Sequence, residues 1–121
     1  MYTDGGNISF VIDNCEFLEN NDGIYSNSGA SITEVRNSTF MNNNNYAIRG
    51  GNQRPNLYNC KISNNYRGVY SVGTVQNCII NNNESNWAIQ SSGNIINTTV
   101  VSNANGISSA SSIKNSIVYF N

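Results

Sequence analysis

Six similar windows, each opened by an asparagine, recur along the chain: NCEFLEN at Asn14, NSTFMNN at Asn37, NCKISNN at Asn59, NCIINNN at Asn77, NTTVVSN at Asn97 and NSIVYFN at Asn115. Six residues after each leading asparagine stands a trailing one: Asn20, Asn43, Asn65, Asn83, Asn103 and Asn121. Other columns hold by class. Two residues before the leader sits Ile12, Val35, Leu57, Val75, Ile95 or Ile113, and three after it sits Phe17, Phe40, Ile62, Ile80, Val100 or Val118. Successive leaders are 23, 22, 18, 20 and 18 residues apart. Self-similarity at a period near twenty is the signature of a solenoid.

Each repeat carries three short alternating segments, which is strand periodicity and not helical periodicity. Three strands per turn, each stacked on its copies above and below, make an all-β parallel β-helix of about six coils. At the usual rung spacing, six coils span roughly 25–30 Å. Coil length varies at one corner only. From the apolar residue after the trailing asparagine (Ile24, Ile48, Val69, Ile89, Ile107) to the next rung's pre-leader residue, the gap is 11, 9, 6, 6 and 6 residues. Left-handed β-helices generally keep a strict hexapeptide rhythm. The variable corner, with the right-handed crossover preference of parallel strands, predicts a right-handed helix. Ile12, Phe17, Ile24 and their equivalents then face inward and stack on themselves in a dry core. Both asparagine columns read as structural ladders, their amides satisfying backbone that a bend leaves unpaired. The small column after the leader, with Cys15, Cys60 and Cys78, fits beneath the bend, and its cysteines read as buried free thiols.

Asparagine and serine are abundant, at 26 and 16 copies of 121 residues, and this composition could also describe a disordered chain. Disorder, however, goes with high net charge and few β-branched or aromatic residues. Here the net charge is −1 and the apolar residues recur in register, so the chain folds. No basic field suggests nucleic acid. No apolar run is long enough to span a bilayer. Histidine is absent, which removes imidazole bases, histidine metal ligands and serine–histidine triads. No cofactor and no metal site is expected.

The repeat columns resemble the parallel β-helix proteins of the pectin-lyase-like superfamily, particularly their Asn-rich surface members. FLEN (Phe17–Asn20) and FMNN (Phe40–Asn43) are similar to the FxxN repeats of polymorphic outer-membrane adhesins, while YAIRG (Tyr46–Gly50) echoes their second motif loosely. The resemblance covers residues 8–121. It implies the fold, and it implies an extracellular or cell-surface setting, although the N-terminus has no secretory signal. It does not choose an activity, because lyases, hydrolases, epimerases, tailspikes and adhesins share the superfamily.

Family enzymes act on polysaccharides along one face, and here that face follows the trailing asparagine. Its outward column reads Tyr25, Arg49, Tyr70, Gln90, Ser108 and contains no carboxylate. Glycoside hydrolysis commonly needs two facing carboxyl groups about 5–9 Å apart. A lyase would want calcium-binding acids beside a basic residue. No catalytic residue is therefore assigned, and the expectation leans away from an enzyme. Binding is better supplied: Tyr25, Tyr46, Tyr70 and Trp87 offer ring faces to sugars, and Arg49, Arg67 and Gln90 offer donors to hydroxyls or carboxylates. Tyr25 and Tyr70 should be exposed, whereas Tyr46 and Trp87, two residues before an inward isoleucine, are expected to fill a corner of the core.

The functional expectation is a non-catalytic surface module that binds a polysaccharide or cell-surface glycan. The alternatives are a polysaccharide-active enzyme fragment and a self-assembling solenoid without a ligand. Asp13 lies beneath Arg36 in the column before the leader, predicting a vertical ion pair. Residues 1–121 read as one β-helix domain, with 1–7 a degenerate N-terminal edge and 8–121 the repeats. SIVYFN presents an apolar strand with an open edge. Either the solenoid is an excerpt of a longer one, or that edge joins another copy in a homo-oligomer.

Overall fold

A coil of about twenty residues needs three extended segments and three tight bends. The computed structural model of the chain, which describes residues 2–3, 9–26 and 31–121, has that arrangement. One face carries β1 (Tyr2–Thr3), β4 (Ile24–Ser26), β7 (Tyr46–Arg49) and β10 (Arg67–Tyr70). A second carries β2 (Ser9–Asp13), β5 (Ser31–Arg36), β8 (Asn56–Tyr58) and β11 (Val75–Gln76). The third carries β3 (Glu16–Leu18), β6 (Thr39–Met41), β9 (Lys61–Ser63), β12 (Ile79–Asn81), β14 (Thr99–Val101) and β16 (Ile117–Tyr119). Two long strands, β13 (Trp87–Ile96) and β15 (Asn105–Lys114), run from the first face onto the second. Neighbouring strands pair in parallel, one coil on the next, as β6 on β3 and β9 on β6 show. The six strands of the third face mark six rungs and five complete turns between them.

The structure adds two details to the expected coil. Three short strands per coil holds only as far as β12. In the last coils the variable corner has its minimum length, and Ser91 and Ser109 turn it in the left-handed region (φ 56° and 59°). There Ser92 pairs with Ala110 and Asn94 with Ser112, so the ladder runs on through the corner and two strands merge into one of ten residues. The β10–β11 corner has the same length and a left-handed Ser71 (φ 53°), but it bonds to the second insertion through Gly73 N–H and Pro55 O and stays two strands. Within the 1–7 edge, Tyr2 and Thr3 lie in register with Tyr25 and Ser26. The rest of the 1–7 edge, and residues 27–30 in the first insertion, lie outside the described residues.

Inward columns build the core as the periodicity requires. Val35, Leu57, Val75 and Ile95 stack in register on the second face, and Phe40, Ile62, Ile80 and Val100 on the third; all are fully buried. Phe17 lies on Phe40 with parallel rings 4.8 Å apart, which is the rung spacing itself. At the outer rungs the columns open: Phe17 is half-buried, and Ile113 and Val118 are exposed. The second insertion closes over its corner. Arg54 donates from Nε to the Val72 carbonyl (3.2 Å) and from Nη2 to that of Ser91 (3.0 Å).

The two asparagine columns do different work, which corrects the expectation that both are ladders. All six leaders adopt left-handed backbone, φ 47° to 55°. Asparagine tolerates this region better than most residues. Their amides are exposed and bonded only in places: Asn37 Nδ2 donates to Asp13 (2.8 Å), Asn59 to Asn37 (3.2 Å) and Asn97 to Asn77 (3.3 Å). Among the described residues no side-chain bond joins Asn59 to Asn77. The trailing column is continuous. Asn43 N–H and Nδ2 both donate to Asn65 Oδ1 (3.0 and 2.7 Å), and Asn65 does the same to Asn83 (3.1 and 3.1 Å). Asn83 repeats it to Asn103 (3.1 and 2.8 Å), and Asn103 to Asn121 (3.1 and 2.9 Å). Each Nδ2 also reaches a carbonyl of the rung below, such as Phe17 O from Asn43 and Phe40 O from Asn65. Asn43, Asn65, Asn83 and Asn103 are buried, while Asn20 and Asn121, on the outer rungs, are exposed.

The small column forms a second, hydroxyl-and-thiol ladder. Ser38 Oγ accepts from Cys15 N–H (3.1 Å), Thr98 Oγ1 from Cys78 N–H (3.3 Å) and Ser116 Oγ from Thr98 N–H (3.1 Å). Cys60 and Cys78 are free and buried in this column, but Cys15, on the outer rung, is exposed rather than buried. The thiol contact with Cys60, together with burial, pushes the Cys78 thiol up.

The two asparagine columns should separate in stability measurements. Replacing Asn59 with glycine keeps the left-handed bend and should change the unfolding free energy by no more than about 1 kcal/mol. Asn65→Gly strands buried donors and carbonyls and should cost about 2–4 kcal/mol in urea unfolding. Equal losses at the two sites would contradict this division.

Candidate functional site

On the first face the inward pair in each coil is a small residue followed by a branched one: Gly23–Ile24, Ala47–Ile48, Gly68–Val69, Ala88–Ile89. The small member lets adjacent rungs approach. A Cβ added at Gly68 would collide with the Ala88 carbonyl. The residues flanking each pair point outward and form two parallel columns. One runs Tyr25, Arg49, Tyr70, Gln90 in strand register. The other holds Tyr46 against Arg67, with Trp87 continuing it beside Asn105.

Five of the seven residues expected to bind ligand form one cluster. Arg49 Cζ lies 4.8 Å from the Tyr25 ring centroid and 5.9 Å from that of Tyr46. Arg67 Cζ lies 5.1 Å from the Tyr46 centroid, and the Tyr46 and Tyr70 rings are 5.9 Å apart. Cation–π contacts of this kind contribute roughly 0.5–1 kcal/mol at exposed sites. They also hold both guanidinium groups in place. Arg67 Nε is buried without a hydrogen bond, so its placement rests on these ring contacts. Gln90 and Trp87 extend the columns by a rung, with no ring or cation–π contact to the cluster among the described residues.

Two expectations change here. Tyr25 and Tyr70 are half-buried and not fully exposed, because the arginine and tyrosine neighbours cover part of each ring. Tyr46 does not fill a core corner; it lies half-buried between two arginines on the outer surface, and Trp87 is half-buried in the same column. The small residue after each of them, Ala47 or Ala88, takes the inner position instead.

Beside Tyr25, Arg49 and Tyr70 a recess of about 220 Å³ is completed by Ser26, Gly50, Gly51, Asn52 and Ser71. The second insertion supplies its Gly51–Asn52 wall. Among the described residues the acids contribute little to this face. Asp22 Oδ1 accepts from the Tyr46 backbone N–H (3.1 Å). Asp13 is engaged on the second face, where Arg36 Nε lies 3.0 Å from Oδ2, the expected vertical pair, and Arg36 also meets Glu34 at 3.2 Å. The Asn37 amide and the Arg36 guanidinium hold the Asp13 carboxyl below the usual carboxylate value. Among the described residues no ion pair involves Arg49 or Arg67, and no group of His, Cys, Asp and Glu is placed to hold a metal ion.

Sequence reasoning missed a second recess, of about 300 Å³, on the corner between the third face and the first. Asn42, Asn43, Asn44, Asn64, Tyr66 and Glu84 line it. The signal was present in the repeat: Asn44, Tyr66 and Glu84 all follow a trailing asparagine directly and so share one column. No helix of the described residues is long and apolar enough to cross a membrane.

A family model described as the right-handed β-helix region matches residues 1–121. No curated protein and no solved structure gives a significant match. The parallel coils, the stacked inward columns and the match along all 121 residues agree in architecture, and the chain belongs to the right-handed β-helix family.

Proposed function

We propose that the chain is a non-catalytic glycan-binding module of a cell-surface or extracellular protein, using the face that carries Tyr25, Tyr46, Tyr70, Arg49 and Arg67. One observation carries this reading. Two arginines on adjacent rungs are held against tyrosine rings with no carboxylate partner among the described residues. Rings that stack on sugars and guanidinium groups that donate to hydroxyls or carboxylates are a carbohydrate-recognition set. An enzymatic reading has less support, because Asp22 is the one carboxylate among the described residues of these two columns and it accepts from the Tyr46 backbone.

A glycan array followed by calorimetry on the best ligand tests the proposal. Tyr25→Ala and Tyr70→Ala should each weaken binding by about tenfold while leaving the unfolding midpoint close to that of the parent. Unchanged affinity in both variants would overturn it.

A separate observation favours self-association as a second reading. Ile113, Ile117, Tyr119 and Phe120 are 50, 62, 59 and 72% exposed, an apolar surface at the outer edge of β15 and β16. Strand edges of this kind pair readily with another copy. Light scattering should show a concentration-dependent dimer or larger species that Ile117→Lys reduces; a monomer at millimolar concentration contradicts this reading.

A further inference from the structure

We propose that the recess lined by Asn42, Asn44, Asn64, Tyr66 and Glu84 is a second ligand site, built for a single sugar ring without negative charge. The inference stands on a lining that shares no residue with the tyrosine–arginine face, although Arg67 of that face touches the Tyr66 ring. Its floor is Asn43, whose amide is fully used in the buried ladder: Nδ2 donates to Phe17 O and Asn65 Oδ1, and Oδ1 accepts from Asn20 N–H. The flanking asparagines are in the opposite condition. Asn42 and Asn64 precede trailing asparagines, and left-handed backbone (φ 57° and 55°) places them at the bend, exposed. Among the described residues no hydrogen bond engages the side chains of Asn42, Asn44 or Asn64, and no ion pair engages Glu84. The backbone of the recess is nonetheless fixed, since Asn44 N–H donates to Asn20 O, Tyr66 N–H to Asn43 O and Glu84 N–H to Asn65 O (2.8, 3.0 and 3.0 Å).

Three uncommitted amides, one carboxylate and one aromatic ring therefore converge on a concave surface with a rigid floor. Tyr66 is 44% exposed, and Arg67 lies over its ring at 5.6 Å without lining the recess, which steadies the ring. Amides donate and accept, as hydroxyl-rich ligands require, and a tyrosine face packs against the C–H face of a sugar. The volume of about 300 Å³ lies at the lower end of small-molecule sites and matches one sugar ring seated in the recess. Among the described residues Glu84 is the only charged side chain lining the recess. It disfavours uronic acids and favours a protonated amino sugar. This selectivity is opposite to that of the arginine face.

NMR titration of the ¹⁵N-labelled chain with glucose, glucosamine at pH 6 and glucuronate tests the proposal. Saturable shifts of the Asn42, Asn44 and Asn64 side-chain amides are expected with glucose and glucosamine, and weaker ones with glucuronate. Tyr66→Ala, an exposed position whose folding the same spectra verify, should weaken binding about tenfold. Glu84→Gln should remove the preference for glucosamine over glucuronate. Tyr70→Ala, which alters the other face, should leave these shifts unchanged, so failure of the glycan-face proposal and failure of this one are distinguishable. Four results would each overturn it: no shifts up to about 50 mM sugar, where a millimolar site would be near saturation; equal response to glucuronate; parent-like binding by Tyr66→Ala; or loss of the shifts in Tyr70→Ala.

Discussion

The fold depends on one interaction, the buried amide of the trailing asparagine. Each of Asn65, Asn83 and Asn103 presents an oxygen to the backbone N–H and the side-chain Nδ2 of the rung before it, and Nδ2 in turn reaches backbone carbonyls. An unpaired backbone group in the interior costs about 1–3 kcal/mol, and a sharp bend would strand several per coil. The amide meets those needs while matching the strand spacing, so the bend can be buried. A bend that is buried lets the inward columns close without a gap. The isoleucine and valine stacks contribute most of the burial, but the asparagine ladder holds them in register.

The same constraint produces the exposed chemistry. Where the backbone enters the left-handed region, at the leaders and at the residue before each trailing asparagine, the side chain is directed away from the core. Asparagine is suited to both environments, buried with its amide saturated or exposed with its amide available. The ladder therefore sets a rigid floor under the corner recess, with Asn43 committed and Asn42 and Asn44 on either side of it not. On the first face, the small residues Ala47, Gly68 and Ala88 let the rungs approach, and the flanking large residues become a continuous outer layer of rings and guanidinium groups.

Much of this was legible in the sequence. The period, the three-strand coil, the inward columns and the vertical Asp13–Arg36 pair follow from residue spacing, because stacking converts spacing directly into contact. What spacing could not tell was direction at the bends. Leading and trailing asparagines look alike in a sequence, yet one column is exposed with left-handed backbone and the other is buried, a difference set by where the chain turns. Merging of strands in β13 and β15 was hidden because corner length does not decide it: the Val69–Val75 gap is equal, yet β10 and β11 stay separate. Tyr46 was misplaced because two consecutive inward residues, Ala47 and Ile48, break simple alternation. Tyr66 and Glu84 went unremarked because their column varies in residue type, and only the geometry shows that they share a recess with Asn42 and Asn64.

Hydrogen exchange of the asparagine side-chain amide protons, followed by NMR, tests the ladder most directly. The Nδ2 protons of Asn43, Asn65, Asn83 and Asn103 should exchange as slowly as backbone amides of β6, β9, β12 and β14. Those of Asn77, exposed and donating to no partner among the described residues, should exchange at a rate close to that of a free amide. Fast exchange in the trailing column, or equal protection in both, would contradict the claim that one buried amide per coil holds the solenoid in register.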